Sequence, residues 1–309
     1  MSLTPTLELR GLRKAFRDVV AVDRVSLAVP PGQIFGLLGP NGAGKTTTLR
    51  MIMDILAPDE GEVLLFGRQR RREDLERIGY LPEERGLYRK MTVEDHLAFL
   101  GELHGLGRAD ALARAGRWLA RLGLDAWAKR KVEELSKGMA QKVQIASTVL
   151  HDPELVILDE PFSGLDPINQ GLFKDLLADY QQEGRTVVFS THVMEQAEKL
   201  CDQICLISHG RAILAGDLQT IKRERGGNFY RLVASGDLER VRGVAGVEQL
   251  LPITAGGGHD GAAVRLRLAP TADSAAVLRR LVAVVEVREF NSEEPPLAEI
   301  FVQAVHDAE

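Results

Sequence analysis

The octet Gly39-Pro40-Asn41-Gly42-Ala43-Gly44-Lys45-Thr46 satisfies G-x-x-x-x-G-K-[ST] in full, a pattern that cradles phosphate. Its glycines accept backbone angles that other residues resist and let several amide N–H groups converge on one anion. The apolar run QIFGLLG before it reads as a buried strand, and KTTTLRMIMDIL after it has helical spacing that ends before Pro58. A helix opening at Lys45, Thr46 and Thr47 adds unpaired N–H groups and the positive end of its dipole. Lys45 can bridge terminal phosphates, and the Thr46 hydroxyl suits Mg²⁺, which takes hard oxygen ligands. A second cluster, LVILDEP, closes an apolar run with Asp159 and Glu160. A buried parallel strand delivers such carboxylates at the carboxyl edge of a sheet, where open α/β sheets bind ligands. There Asp159 would hold Mg²⁺ through water, and Glu160 would orient or deprotonate the water that attacks a nucleotide's γ-phosphate. Alone, the two acids read equally well as a helix-start acid and a surface acid; the phosphate loop upstream decides for the nucleotide.

These groups need a scaffold, and strand and helix signals alternate along the chain to supply one. TLELRGLRKAF, VSLAV and GEVLLFG read as strands, and RREDLERIGYLPEE as a short helix running into a strand. From Val93 to about Lys142 the pattern is mostly helical. Strand LVILDEP, helix INQGLFKDLLADYQQEG, strand TVVFST, helix VMEQAEKLCD and strand QICLISHG follow. This alternation argues for a largely parallel, two-sided α/β sheet with a helical block inserted in its middle. Composition shifts at LQTIKRERGGN (Leu218 to Asn228), which reads as a linker. Beyond it the order is β-α-β-β-α-β plus a terminal helix, a small ferredoxin-like α+β arrangement with a glycine-rich turn, AGGGHDG. It carries no catalytic constellation, so dimer support or regulation is expected of it.

A length of 309 residues favours two domains, here 1–220 and 221–309. Apolar content of 45% and charged content of 27% fit a soluble globular protein. A net charge of −5 gives no global pull toward nucleic acid, so no nucleic-acid partner is expected, and the basic run RQRRRED reads as a solvated loop and helix start. Cys201 and Cys205 are the only cysteines and are expected to pack as small apolar residues in a reducing compartment. The N-terminus lacks a signal-peptide core, and no apolar run approaches the ~20 residues that span a bilayer. The expected location is cytosolic, or at a membrane only through a partner.

Between the phosphate loop and LVILDEP lies LSKGMAQKVQIAS (Leu135 to Ser147), and SGLDP (Ser163 to Pro167) follows the acids. In this order of motifs, over roughly residues 5–220, the chain resembles the ATP-binding-cassette (ABC) ATPases, whose signature reads LSGGQ; a kinase or GTPase would leave LSKGM unexplained. Ser136 and Gly138 match that signature, whereas Lys137 and Met139 depart from it. The resemblance implies a P-loop NTPase fold: a RecA-like core, an antiparallel β-subdomain and a helical subdomain at about 93–150. It makes SGLDP, with Asp166, the D-loop, His192 the switch histidine, and Phe16 the aromatic that stacks on adenine. Read alone, Ser136 is a helix N-cap, His192 a structural histidine at a helix start, and Phe16 a core residue.

The resemblance further implies a head-to-tail pair of cassettes with ATP and Mg²⁺ sandwiched between them, Ser136 and Gly138 of one chain touching the phosphate held by Lys45 of the other. Glu83, in IGYLPEE, stands where the family usually has glutamine; ionised, it cannot donate a hydrogen bond but can ligate Mg²⁺, directly or through water. With LSKGM and the closing EEPPLAEIFVQAV, Glu83 makes the chain similar to cassettes of two-component exporters, including sodium-extrusion and drug-resistance types. That implies integral membrane permease subunits as partners, docked on the block from about Val93 to Glu134 at the cytoplasmic face of the membrane. The alternative is a soluble cassette ATPase acting on ribosomes or DNA; those usually carry two cassettes or a long coiled-coil insertion, and this chain has neither.

Overall fold

The computed structural model describes residues 4–84, 86–225, 228–252 and 262–308. The chain divides into two compact units, Met1–Gly216 and Asp217–Glu309. In chain order the first holds β1 (Leu7–Phe16), β2 (Val19–Val29), β3 (Ile34–Leu38), α1 (Lys45–Ile52), β4 (Glu60–Leu65), β5 (Arg68–Gln69), β6 (Ile78–Leu81), α2 (Val93–Leu103), α3 (Arg108–Arg121), α4 (Lys137–Val149), β7 (Leu155–Leu158), α5 (Pro167–Gln182), β8 (Thr186–Thr191), α6 (Met194–Leu200), β9 (Gln203–Ser208) and β10 (Arg211–Asp217).

Six strands form one sheet in the order β10-β9-β3-β8-β7-β6. β3 pairs parallel with β8 and β9, and β7 with β6 and β8. Every residue of β3, β7 and β8 is buried, which is why β3 and β7 read as unbroken apolar runs. Parallel strands share one carboxyl edge, and the register sets what meets there. Leu158 is level with Phe189 and with Leu81, and Leu38 with Thr191. One step further along each strand, Asp159 comes level with Ser190 and with Pro82.

An antiparallel sheet in the order β2-β1-β4-β5 lies apart from the parallel one. Leu7, Leu9, Leu12 and Val25 of its strands share one core with Leu49 and Met51 of α1 and with Phe35 and Ile157 of the parallel sheet. The phosphate-loop helix is thus clamped between two sheets. Leu97, Leu119 and Val143 join α2, α3 and α4 in a separate core. Both cysteines are buried free thiols, as their apolar neighbours in sequence suggest.

α2 also buries His96 completely, with both ring nitrogens unpartnered. Burial pushes its pKa down to about 4. The folded ring stays neutral while the unfolded chain takes a proton below about pH 6.5. Stability therefore falls as pH drops from about 6.5 toward 4, by about 2 kcal/mol at about pH 5. His96→Leu removes both the titration and two unpaired polar atoms. Urea unfolding at about pH 7.5 and about pH 5 should show wild type losing about 2 kcal/mol more than the variant between the two; equal losses would refute a neutral His96.

The second unit holds α7 (Leu218–Arg225), β11 (Asn228–Ser235), β12 (Val247–Pro252), β13 (Ala262–Leu268), α8 (Ser274–Val282), β14 (Glu286–Ser292) and α9 (Leu297–Ala308). Its sheet runs β12-β13-β11-β14 with antiparallel pairs, the ferredoxin-like order. The stretch expected as a linker is instead mostly the helix α7. Leu218 and Ile221, three residues apart, bury one face of it, and its charges mark the other. DLERVRGV forms a 3-10 turn over Leu238–Gly243 rather than an α-helix. Val241 and Val244 are both buried, and side chains three apart eclipse in that geometry. β10, an edge strand with no fully buried residue, and the two-residue β5 are not anticipated from the sequence. The AGGGHDG turn lies outside the described residues.

Candidate active site

The phosphate loop is built from backbone. Gly39 has φ 152°, and a Cβ there would stand 2.2 Å from the Ile207 carbonyl oxygen. Gly44, at φ 106°, starts α1 in a left-handed conformation, and a Cβ would meet the Ala21 carbonyl at 2.4 Å. Only glycine fits either place. No side chain caps α1, so its first N–H groups are left for an anion. Residues 41–47 line a cavity of about 260 Å³ together with Ala21, Glu83 and Glu160. Lys45 is 5% exposed; its ammonium donates to the carbonyls of Gly39 at 2.8 Å and Pro40 at 3.2 Å. It also lies 3.3 Å from Glu160 Oε1, a charge contact without hydrogen-bond geometry.

The strand register explains the acids. Ser190 donates its hydroxyl to Asp159 Oδ1 at 2.6 Å and accepts the Glu160 N–H at 2.9 Å. Glu160 itself is held at φ 49°, a left-handed conformation strained for a non-glycine residue. His192 Nδ1 lies 3.0 Å from Glu160 Oε2. The Thr46 hydroxyl donates to Asp159 Oδ1 at 3.2 Å. Asp159 is 1% exposed, yet its Oδ2 is buried with no partner, an arrangement that a cation would relieve. Mg²⁺ is ordinarily held by one or two carboxylates and the phosphates it accompanies, and the hard oxygens of Thr46 and Asp159 fit it. Burial first, then the charge of Asp159, pushes Tyr80 of β6 up to about 12, so its hydroxyl keeps its proton beside the acids.

Other residues singled out by sequence fall elsewhere. Ser136 caps α4, accepting the Met139 N–H at 3.3 Å. Neither it nor Gly138 is on the wall of the phosphate cavity. Asp166 caps α5: Oδ1 accepts the Asn169 N–H at 3.0 Å, and this bond above all holds its carboxyl below the usual range. Phe16, 47% exposed at the end of β1, is not a core residue and also stands off the cavity wall. Glu83 is exposed, without hydrogen bond or ion pair among the described residues, on the rim shared with Lys45, Thr46 and Glu160.

Known proteins resemble this chain over most of its length. The ABC transporter ATP-binding protein YhaQ of Bacillus subtilis is 42% identical over 299 residues, spanning 97% of this chain and 98% of its own length. The chain belongs to the ABC transporter ATP-binding proteins. The family model described as "ABC transporter" matches residues 22–163, and that described as "ATP-binding protein DrrA1-3-like, C-terminal domain" matches 216–305. The Nod factor export ATP-binding protein I of Cupriavidus metallidurans is 40% identical over 69% of this chain and 72% of its own. A solved structure described as the ATP binding subunit of an ABC transporter has a TM-score of 0.67 at 31% identity, over 72% of this chain and 93% of its own. The chain is thus an ABC ATPase that binds and hydrolyses ATP, on the P-loop cassette fold.

Three polar residues of this ABC ATPase escape sequence reasoning. Ser190 is one, although its place at the end of an apolar run mirrors that of Asp159. The others are Gln141 and Gln144, both buried in α4. Gln141 donates to the carbonyl of Pro161 at 3.0 Å, and Gln144 to that of Glu84 at 3.4 Å. They fasten the signature helix to the segments after Glu160 and after Glu83. Their signal is two amides one helical turn apart in a helix whose buried residues are mostly apolar.

Proposed function

We propose that this ABC ATPase is the motor of an exporter, working as a head-to-tail pair on separate membrane permease subunits. The observation that carries this reading is the half-built site. Lys45, Thr46, Glu160 and Glu83 gather on one cavity, while Ser136, at the start of α4, is exposed away from it. A serine hydroxyl, a close-approach glycine at 138 and a helix start make a second anion site that another copy can present to the γ-phosphate. Phe16 would stack on adenine, and residues 39–47 would hold the phosphates. Thr46 and Asp159, with Glu83 at the rim, would hold Mg²⁺, which neutralises charge on the β- and γ-phosphates. Glu160 takes a proton from the attacking water, and His192 holds Glu160 in place. Lys45 stabilises the γ-phosphate, and Asp166 anchors the loop that faces the partner copy. Hydrolysis removes the charge bridging the two surfaces, and the pair loosens.

Export is supported by the likeness to the Nod factor export ATP-binding protein I. Among the described residues no helix is long and apolar enough to cross a membrane, so the path for cargo must come from a partner at the cytoplasmic face. The second unit, Asp217–Glu309, would support the pair or regulate it. Glu160→Gln with Mg-ATP should run as a dimer in size-exclusion chromatography with light scattering, and as a monomer with ADP. A monomer in both would overturn the sandwich. Affinity capture of the chain from membranes should bring down an integral membrane protein; capture of ribosomes instead would overturn the transport reading.

A further inference from the structure

Glu160 and Glu83 line the phosphate cavity and also a second one, of about 180 Å³, on their other side. Asp159, Gln141, Gln144, Ser163 and Lys137 are also on its wall. Lys137 is one of the two signature residues that depart from LSGGQ, and Glu83 is the departure in the loop after β6. The two departures therefore meet in one space, with opposite charge. Neither side chain has a hydrogen bond or ion pair among the described residues. Lys137 reaches across Gly164, where a Cβ would stand 2.9 Å from its Nζ and 3.1 Å from its Cε. With glycine there, the ammonium keeps its room on a cavity wall that also carries three carboxylates: Glu83, Asp159 and Glu160.

We propose that Lys137 acts within its own chain as the counter-charge of this cluster, a positioning residue that offsets the extra carboxylate at 83 and limits how tightly the site holds a divalent cation. The physical reason is direct. Three carboxylates around one site raise cation affinity, and a product complex that holds its metal too firmly is slow to empty. An ammonium on the far side of Glu83 and Glu160 repels the cation through the same space. This inference rests on the reading that Thr46 and Asp159 hold the metal. It differs from the role the signature segment has across the dimer, because it acts in a single chain without a second copy.

The test is a titration of the full-length chain with Mn²⁺ in the presence of ADP, followed by electron paramagnetic resonance of free Mn²⁺. Lys137→Met should tighten Mn²⁺ about threefold, and Glu83→Gln should weaken it about threefold. The double variant should return close to wild type, and Lys137→Arg, which keeps the charge, should match wild type. Raising the salt should shrink both shifts, since the groups are exposed. Unchanged or weaker Mn²⁺ binding in Lys137→Met overturns the proposal. So would an effect of Lys137→Met confined to ATP-driven dimerisation, which would place the lysine on the partner's nucleotide instead. Asp159→Asn in the same titration keeps the two readings apart: if it binds Mn²⁺ like wild type, the metal site itself is wrong.

Discussion

Glu160→Gln is expected to bind ATP as wild type does and to lose at least about a hundredfold in turnover, or about 2.7 kcal/mol of transition-state stabilisation. The substitution keeps size and shape, so the φ of 49° and the Ser190 hydroxyl on its N–H have no reason to change. What it removes is the capacity to take a proton. Glu160 is suited to that role by its neighbours: Lys45 at 3.3 Å and His192 at 3.0 Å hold both oxygens at the edge of the phosphate cavity. An amide in its place still meets the His192 ring but cannot act as a base toward water. Nucleotide affinity, measured with a fluorescent ATP analogue, should stay within about twofold, while phosphate release falls by the factor above. Undiminished phosphate release would remove Glu160 from the base role and leave it a structural partner of Lys45.

What could be read from the sequence follows from how far apart the cooperating residues lie along it. The phosphate loop is contiguous: strand, glycines, lysine and helix start are one segment, so residue types and local pattern suffice. The pair Asp159 and Glu160 is also local, at the end of one apolar run. Ser190 is different. Its contact with Asp159 exists only because β7 and β8 pair parallel with Leu158 level with Phe189, and no local pattern encodes that register. The same holds for Glu83, brought beside the acids by the pairing of β6 with β7. Lys137 comes to share a cavity wall with them through the packing of α4, fastened by Gln141 and Gln144. In the second unit, alternating strands announced their order, but α7 was hidden because its apolar content is two residues in a charged stretch. Period, not composition, was the informative quantity there.

Lys45→Ala should abolish detectable nucleotide binding, raising Kd at least about a hundredfold. The lysine is 5% exposed, and its ammonium is held by the carbonyls of Gly39 and Pro40 and by the charge of Glu160. Truncation therefore does two kinds of harm. It deletes the cation that would bridge the terminal phosphates, and it leaves Glu160 as a buried negative charge facing the space an anion must enter. The second effect sets the size: a phosphate approaching the loop would meet Glu160 uncompensated. Lys45→Ala/Glu160→Gln should then recover part of the lost binding, because neutralising Glu160 removes the repulsion although the cation is still missing. Isothermal titration of ATP into both variants in Mg²⁺ decides between these contributions. Equal, undetectable binding in the two would mean that loss of the cation accounts for the whole effect. Wild-type affinity in Lys45→Ala would mean that the amides of residues 39–47 hold the phosphates without help.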